Sequence, residues 1–318
     1  MLLSGSRRRR CWRTIPLLAL LAGLAASPLG DAATPAGCAE HLPYGAPVGS
    51  AVASVAEVRL CPAAAQDGES FFALGYDAAQ GVARWTAYRL TRDRLRLGVE
   101  AGPARRARGR RFRRDPRLEA QGGPRLSHED FTGSGYDRGH LVPAAAMRWH
   151  AEAYEATFLV SNLALQDPSL NRGAWARLEA KVRALACAYG ELYVITGTVS
   201  RSAEKGDAGP KIYRVNSGAH QVAVPSAFYK LLFSETDGGQ AMAVVYGNPD
   251  PGSPAPAPML RSVDDLEALS GLDFFPGMDE ARQRRIEAAA PNPDFWEGRI
   301  AAAGHCAYAP GAGDPSAR

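Results

Sequence analysis

Tyr136-Asp137-Arg138-Gly139-His140 places a titratable imidazole close to a guanidinium and a carboxylate. A histidine that works as a base needs one ring nitrogen held by a partner and the other open to substrate. An arginine beside it offers a planar fork suited to phosphate, and a glycine between them lets a backbone approach closely. Taken alone, the segment fits a surface turn with an ordinary Asp–Arg pair equally well. His150, ten residues on, has no ligand spacing around it and reads as a helix-start or surface histidine.

A second segment shifts the balance. Asn171-Arg172-Gly173-Ala174-Trp175-Ala176-Arg177-Leu178-Glu179 opens the clearest helical pattern in the chain, running to about Tyr189 and stopped by Gly190. At about 100° per residue, Asn171, Trp175, Glu179 and Arg183 step by four and drift only about 40° each time, forming one inclined stripe. Leu178, Val182, Leu185 and Ala186 fall on another, apolar face. An Asn at a helix start is usually an N-cap, and Glu179–Arg183 also reads as a solvated pair worth about 0.3–0.5 kcal/mol. Downstream of an Asp-Arg-Gly-His, the set points to chemistry instead.

These segments resemble the DNA/RNA non-specific endonucleases, the ββα-metal nucleases. The resemblance rests on Asp137 through Pro143, Ser161-Asn162 with Gln166, Asn171 through Glu179, and Gly271-Leu272-Asp273-Phe274-Phe275-Pro276. Val222 to Phe233, with Pro225, Phe228 and Lys230, is similar to a core strand of that family, so the likeness runs from about residue 58 to 280. One departure is Leu165, where the family more often has a proline before the glutamine.

The resemblance implies an α+β fold, a ββα-metal nuclease with a mainly antiparallel central sheet flanked by helices. It implies phosphodiester hydrolysis in DNA and RNA with one Mg²⁺, for which Mn²⁺ can substitute. His140 would be the general base, and Asn171 the one direct protein ligand of the ion. Glu179 would reach the ion through water, and Asn162 would orient His140 or its surroundings. Arg138 and Arg183 would steady charge on the phosphate. Mg²⁺ dehydrates reluctantly, which suits a site with few protein oxygens. A metal-dependent phosphatase would want more carboxylates; a nucleic-acid-binding protein on an inactive scaffold is the rival class.

The elements that must position these residues are legible in outline. Residues 70–76 and 84–90 flank a Gly-containing turn, as a β-hairpin does. A helix begins near His150, and Thr157 to Asn162 is a short apolar stretch after it. Leu192 to Gly197 reads as a buried strand, and Val222–Phe233 and Ala241–Tyr246 as two more joined by Asp237-Gly238-Gly239. Residues 102–123 look irregular, and the Pro-rich run 251–258 is a loop. Ser262-Val263-Asp264-Asp265 caps a helix ending near Gly271, and a last helix spans about Met278 to Ala289. Strands at both ends with helices between and after them argue for one α+β domain over 33–318, with its core at about 58–290.

The chain of 318 residues is 46% apolar, enough for a sizeable core. Arg7 to Arg10 and Arg13 precede an apolar run from Ile15 to Ala26, followed by small residues. That order reads as a secretory signal peptide over residues 1–32, the run being short for a membrane anchor. Without those residues the 37 Lys+Arg and 33 Asp+Glu become 32 of each, so global charge says nothing about an anionic partner. Local charge does: Arg105, Arg106, Arg108, Arg110, Arg111, Arg113, Arg114 and Arg117 crowd one segment opposed only by Asp115. The cluster can grip DNA or RNA without reading bases, or be a basic loop or processing site. Cys38, Cys61, Cys187 and Cys306 remain in an export-competent chain, and the pairings Cys38–Cys61 and Cys187–Cys306 are favoured over a zinc site, which no CxxC or HxxxH supports. The expected location is secreted or periplasmic, with no membrane association after signal cleavage. Oligomeric state stays open, a homodimer included.

Overall fold

The protein is described by a computed structural model covering residues 1, 37–49, 57–65, 68–101, 112–200, 211–214, 220–298 and 300. Strands β1 (Val48–Gly49), β2 (Glu57–Leu60), β3 (Ala73–Asp77) and β4 (Val82–Thr91) lead to helices α1 (Arg92–Glu100) and α2 (Pro116–Ala120). Next come β5 (Asp137–His140), α3 (Ala151–Ala156), β6 (Leu163–Gln166), and a π-helical turn over Leu170–Trp175 that continues as α4 (Ala176–Tyr189). Strands β7 (Glu191–Val199), β8 (Lys211–Arg214), β9 (Gln221–Val224), β10 (Ala227–Ser234) and β11 (Gln240–Gly247) follow. Last are β12 (Met259–Arg261), α5 (Val263–Ser270), β13 (Leu272–Asp273), α6 (Glu280–Glu287) and α7 (Pro293–Gly298).

Seven strands form one sheet in the order β12-β11-β10-β7-β4-β3-β2, every neighbouring pair antiparallel. The β-branched and aromatic residues of β7 suit the centre of such a sheet, where both faces are covered. Side-chain alternation divides the core in two. On β10, Phe228 and Leu232 join one cluster with Leu163 and Leu165 of β6 and Leu178, Val182 and Leu185 of α4. Tyr229, Leu231 and Phe233 join the other, with Leu266 of α5 and Ile286 of α6. The fold is therefore α+β, a large antiparallel sheet flanked by helices.

The short β5–β6 ladder stands apart from the sheet and pairs Asp137 with Gln166 and His140 with Leu163. The π turn and α4 follow it directly, completing a ββα unit. Gly190, at φ 88°, ends α4 in a conformation that a side chain would strain.

Several expectations are corrected. The single strand read over Val222–Phe233 is two, β9 and β10, because Pro225 has no N–H for a ladder and Ser226 instead donates to Val199 O. The stretch 102–123 is not wholly irregular: Asp115 caps Pro116–Ala120, an N-cap followed by an N1 proline. Helix α1, capped by Thr91 Oγ1, and helix α7 were not anticipated. The last long helix starts at Glu280 with Asp279 as cap, not at Met278.

Cys38 and Cys61 form a disulfide, with Cα atoms 5.8 Å apart. Cys187 is disulfide-bonded too; its favoured partner Cys306, like the signal-peptide segment from residue 2, lies outside the described residues. The chain divides into two compact units, Met1–Asp31 and Ala32–Arg318, and all the elements above belong to the second. Among the described residues, no helix is long and apolar enough to cross a membrane.

On the α5–α6 side, Asp264, Glu267 and Glu287 bring their carboxylates within 4.8 Å of one another. Burial, aided by Glu287, lifts the Glu267 carboxyl from 4.5 to about 8, although it accepts the Phe274 N–H. The folded protein thus keeps a proton that the unfolded chain releases near 4.5, and stability falls as pH rises from there to about 8. Glu267→Gln, which cannot ionise, should melt near the wild type at pH 4 and gain a growing advantage up to pH 8. Thermal unfolding across that range checks this; an advantage independent of pH would contradict it.

Candidate active site

The β5 segment is short and extended, so its residues alternate between two faces. Arg138 and His140 share one. The Arg138 guanidinium carbon lies 4.8 Å above the Phe112 ring, and the His140 ring is 5.5 Å from Phe112 and 5.3 Å, edge-on, from Phe158. His140 is 8% exposed, so aromatic walls fix its ring while a small opening remains. Phe112 is delivered by its neighbour: Arg113 N donates to Phe158 O, and Val160 N to Arg113 O, both at 2.9 Å. Asp115, buried, locks the same segment by accepting from Ser161 Oγ at 2.6 Å and from Arg117.

Asp137 and Gly139 share the other face. Asp137 Oδ2 accepts from Asn171 Nδ2 at 2.9 Å and from Arg172 Nε at 2.7 Å, while Oδ1 accepts from Arg172 Nη2 at 2.5 Å. A carboxylate only accepts, so the Asn171 atom facing it must be the amide nitrogen and the carboxamide oxygen is turned away. Asn171 is thus not the N-cap its position suggests. Asp167 caps the turn instead, its Oδ1 accepting from Leu170 N at 2.9 Å, and Asn171 N donates to Asp167 O. The π turn places Asn171 one step inside the helix with its side chain aimed back at β5.

Beneath both faces lies a buried charge. Lys230, on the same side of β10 as Phe228 and Leu232, donates to Thr196 Oγ1 at 2.8 Å and to Leu141 O at 3.5 Å, and sits 4.7 Å from the Trp175 ring centre. Burial pushes its ammonium down to about 8, with Glu179 raising it and Arg183 lowering it. Glu179 and Arg183 of α4 thus lie close enough to Lys230 for their charges to act on it. Glu179 is half-buried, and Arg183 is buried together with Trp175; the inclined stripe is a packed surface rather than a solvated one.

Asn162 acts on the backbone beside His140. Its side chain accepts from Val142 N at 2.9 Å and donates to Val142 O and Thr157 O at 3.0 Å, fastening the backbone just past His140. Gln166, fully buried, has neither atom of its carboxamide hydrogen-bonded among the described residues. His150 is structural: its Nδ1 accepts from Glu152 N as the cap of α3.

The arginine cluster is less free than its sequence suggests. Arg113 spends its guanidinium on the Glu155 carbonyl and carboxylate, and Arg117 on Asp115, leaving Arg114 exposed. Arg105, Arg106, Arg108, Arg110 and Arg111 lie outside the described residues. Residue spacing missed Asp137 as the holder of Asn171, together with Arg172, Lys230 and Phe112. The Asp-Arg-Gly-His segment is legible in the sequence, but nothing in it separates an Asp137 that holds Asn171 from an ordinary Asp–Arg pair.

This arrangement offers a held imidazole, a neutral oxygen ligand on a rigid turn, and arginines near both. The family model described as DNA/RNA non-specific endonuclease matches residues 61–281. Similar proteins include mitochondrial endonuclease G of Homo sapiens, 35% identical over 210 residues that cover 65% of this chain and 68% of the relative. The Bos taurus protein of the same name is 33% identical over 249 residues, 77% and 81% of the two chains. A nuclease of Nostoc sp. is 31% identical over 231 residues, 70% and 77%. Among solved structures, the EndoG/EndoGI complex, described as showing the mechanism of EndoG inhibition, has a chain that aligns at TM-score 0.57 and 27% identity, covering 79% of this chain and 96% of that one.

Two glycines near the site give opposite expectations. A Cβ on Gly139 would lie 2.4 Å from Gln166 Oε1 and 2.8 Å from its Cβ, so Gly139→Ala should cost about 1–3 kcal/mol as the β5–β6 ladder shifts. A Cβ on Gly173 would meet only Arg177 Nη1, at 3.8 Å, and Gly173→Ala should gain up to about 1 kcal/mol. Denaturant unfolding of both variants checks the pair; equal midpoints would contradict it.

Proposed function

The chain belongs to the DNA/RNA non-specific endonuclease family, and on that premise we propose that it is a secreted or periplasmic Mg²⁺-dependent nuclease that cuts DNA and RNA with little regard for sequence. The observation that carries the reading is the Asn171 carboxamide, held by Asp137 through its nitrogen so that its oxygen is presented away from the carboxylate.

The residues present fit a hydrated divalent cation. Asn171 offers one neutral oxygen, which suits an ion that keeps most of its waters, and the buried Gln166 carboxamide beside Gly139, unpartnered among the described residues, leaves polar atoms unsatisfied at the β5–β6 ladder. Among the described residues, the one group of three or more His, Cys, Asp or Glu side chains close enough to share an ion is Asp264, Glu267 and Glu287, on the α5–α6 side of the sheet. When bound at Asn171, Mg²⁺ supplies charge neutralisation to a phosphate oxygen, and Mn²⁺ has the chemistry to replace it.

The chain's own groups do the rest. His140, its ring plane set by Phe112 and Phe158, takes the proton of the attacking water. Arg138, stacked on Phe112, and Arg183, buried near Lys230, steady the charge that grows on the phosphate. Glu179 orders water on the cation side, and water there can give its proton to the departing 3′ oxygen as the bond from that oxygen to phosphorus breaks. Asn162 holds the backbone just after His140. None of these groups reads a base edge, and contacts of this kind to phosphate carry no sequence information. In the Arg-rich segment, Arg105, Arg106, Arg108, Arg110, Arg111 and Arg114 add grip on the polyanion.

Export is supported by the Arg cluster and apolar run at the N-terminus, and the Cys38–Cys61 disulfide suits an oxidising compartment. With Mg²⁺, the protein should degrade plasmid DNA, single-stranded DNA and RNA, and a chelator should stop it. His140→Ala should lower the rate by about 10²–10⁴-fold while leaving DNA binding near wild type. Gel assays and filter binding read both effects. Intact substrates after prolonged incubation with Mg²⁺ would favour a binding protein on an inactive scaffold, and a fully active His140→Ala would place the base elsewhere.

A further inference from the structure

The proposed cation site contains a puzzle of ligand choice. Mg²⁺ and Mn²⁺ favour anionic carboxylate oxygens, yet the ligand assigned above is the neutral oxygen of Asn171, with a carboxylate one hydrogen bond away. Asp137 is buried, sits at the end of β5 beside that ligand, and would ordinarily be the stronger partner for a divalent ion.

Arg172 is what occupies it. Its Nε and Nη2 bond the two Asp137 oxygens at 2.7 and 2.5 Å in a parallel fork, and Asn171 Nδ2 takes a further position on Oδ2. This grip does not serve to fill the core, since the Arg172 side chain is 55% exposed. Nor is a half-exposed ion pair of this kind a large source of stability. Its geometry has another consequence: three of the carboxylate's roughly four acceptor positions are taken, and the fork that bridges both oxygens keeps the group from turning towards a cation.

We propose that Arg172 sets the charge and affinity of the metal position, by holding both oxygens of Asp137 so that the carboxylate orients Asn171 without itself ligating the ion. The inference rests on the reading that Asn171 holds the cation. A cation bound through one neutral oxygen keeps its full double charge for the phosphate, and it binds weakly enough to exchange. Without the clamp, Asp137 becomes a ligand, the ion is held more tightly, and its pull on phosphate is reduced by the carboxylate's charge. Arg172 acts through Asp137 and is a positioning residue. A lysine would not reproduce it, because one ammonium cannot bridge two oxygens in a fork.

Direct titration of the intact protein with Mn²⁺ alone, followed by calorimetry and by the electron paramagnetic resonance of free Mn²⁺, tests this without substrate. Arg172→Met should bind Mn²⁺ about ten- to hundredfold more tightly than the wild type, the scale expected when a nearby carboxylate is released to a divalent ion. Adding Asp137→Asn to that variant should return the affinity to about the wild-type value, because the released charge is gone. Unchanged or weaker binding by Arg172→Met overturns the proposal. So does a double variant as tight as the single one, which would trace the gain to loss of the guanidinium charge alone. Asn171→Ala, measured in parallel, separates the two levels. If it loses Mn²⁺ while Arg172→Met binds like the wild type, the clamp is refuted and the metal reading stands; if it keeps wild-type binding, both fall.

Discussion

One carboxylate, that of Asp137, ties the end of β5 to the first turn of the helix carrying Asn171, and the proposed catalytic side chains are all placed relative to that tie. The hydrogen bond from Asn171 Nδ2 decides which end of a symmetric-looking amide is offered outward, and the Arg172 fork decides that the carboxylate stays a holder. A strand residue and a helix residue separated by 34 positions thereby become one rigid object. Gly139, whose missing side chain makes room for Gln166, lets β5 and β6 lie close enough for the tie to form.

The sheet beneath supplies a second constraint. Burying Lys230 costs desolvation, visible in its depressed ammonium, and the cost is offset by Thr196, the Leu141 carbonyl, the Trp175 face and Glu179. Those partners come from β7, the segment after β5, the π turn and α4. A buried cation that needs all four to be satisfied favours one mutual arrangement of the sheet, the His140 backbone and the helix. Asn162 closes the same region from the other side by pairing with both the N–H and the carbonyl of Val142.

Much of this was legible in residue order. The hairpin of β3 and β4, the central β7, the Gly190 stop and the Ser262 cap follow from alternation, β-branching and capping chemistry, which are local. The family's motifs brought His140, Asn171, Glu179 and Arg183 to notice. What stayed hidden was long-range. Nothing near Asp137 in the chain says that its partners are Asn171 and Arg172, and nothing near Lys230 says that a lysine will be fully buried. Asn171 looked like a cap because position alone cannot show that Asp167 has already taken that task. The arginine cluster looked uniformly free because Glu155, distant in sequence, is what neutralises Arg113. Pro225, by contrast, is a break visible in the sequence itself: its missing N–H divides Val222–Phe233 into two strands.

The central claim is that a single divalent cation is held through Asn171 and not through a carboxylate. A crystal of the protein grown with Mn²⁺ and examined by anomalous diffraction addresses it most directly. The account predicts one strong peak at about 2.0–2.3 Å from Asn171 Oδ1, with Asp137 still clamped by Arg172 and no carboxylate bonded to the ion. A peak bonded to Asp137, or one at Asp264, Glu267 and Glu287 with none at Asn171, would contradict it.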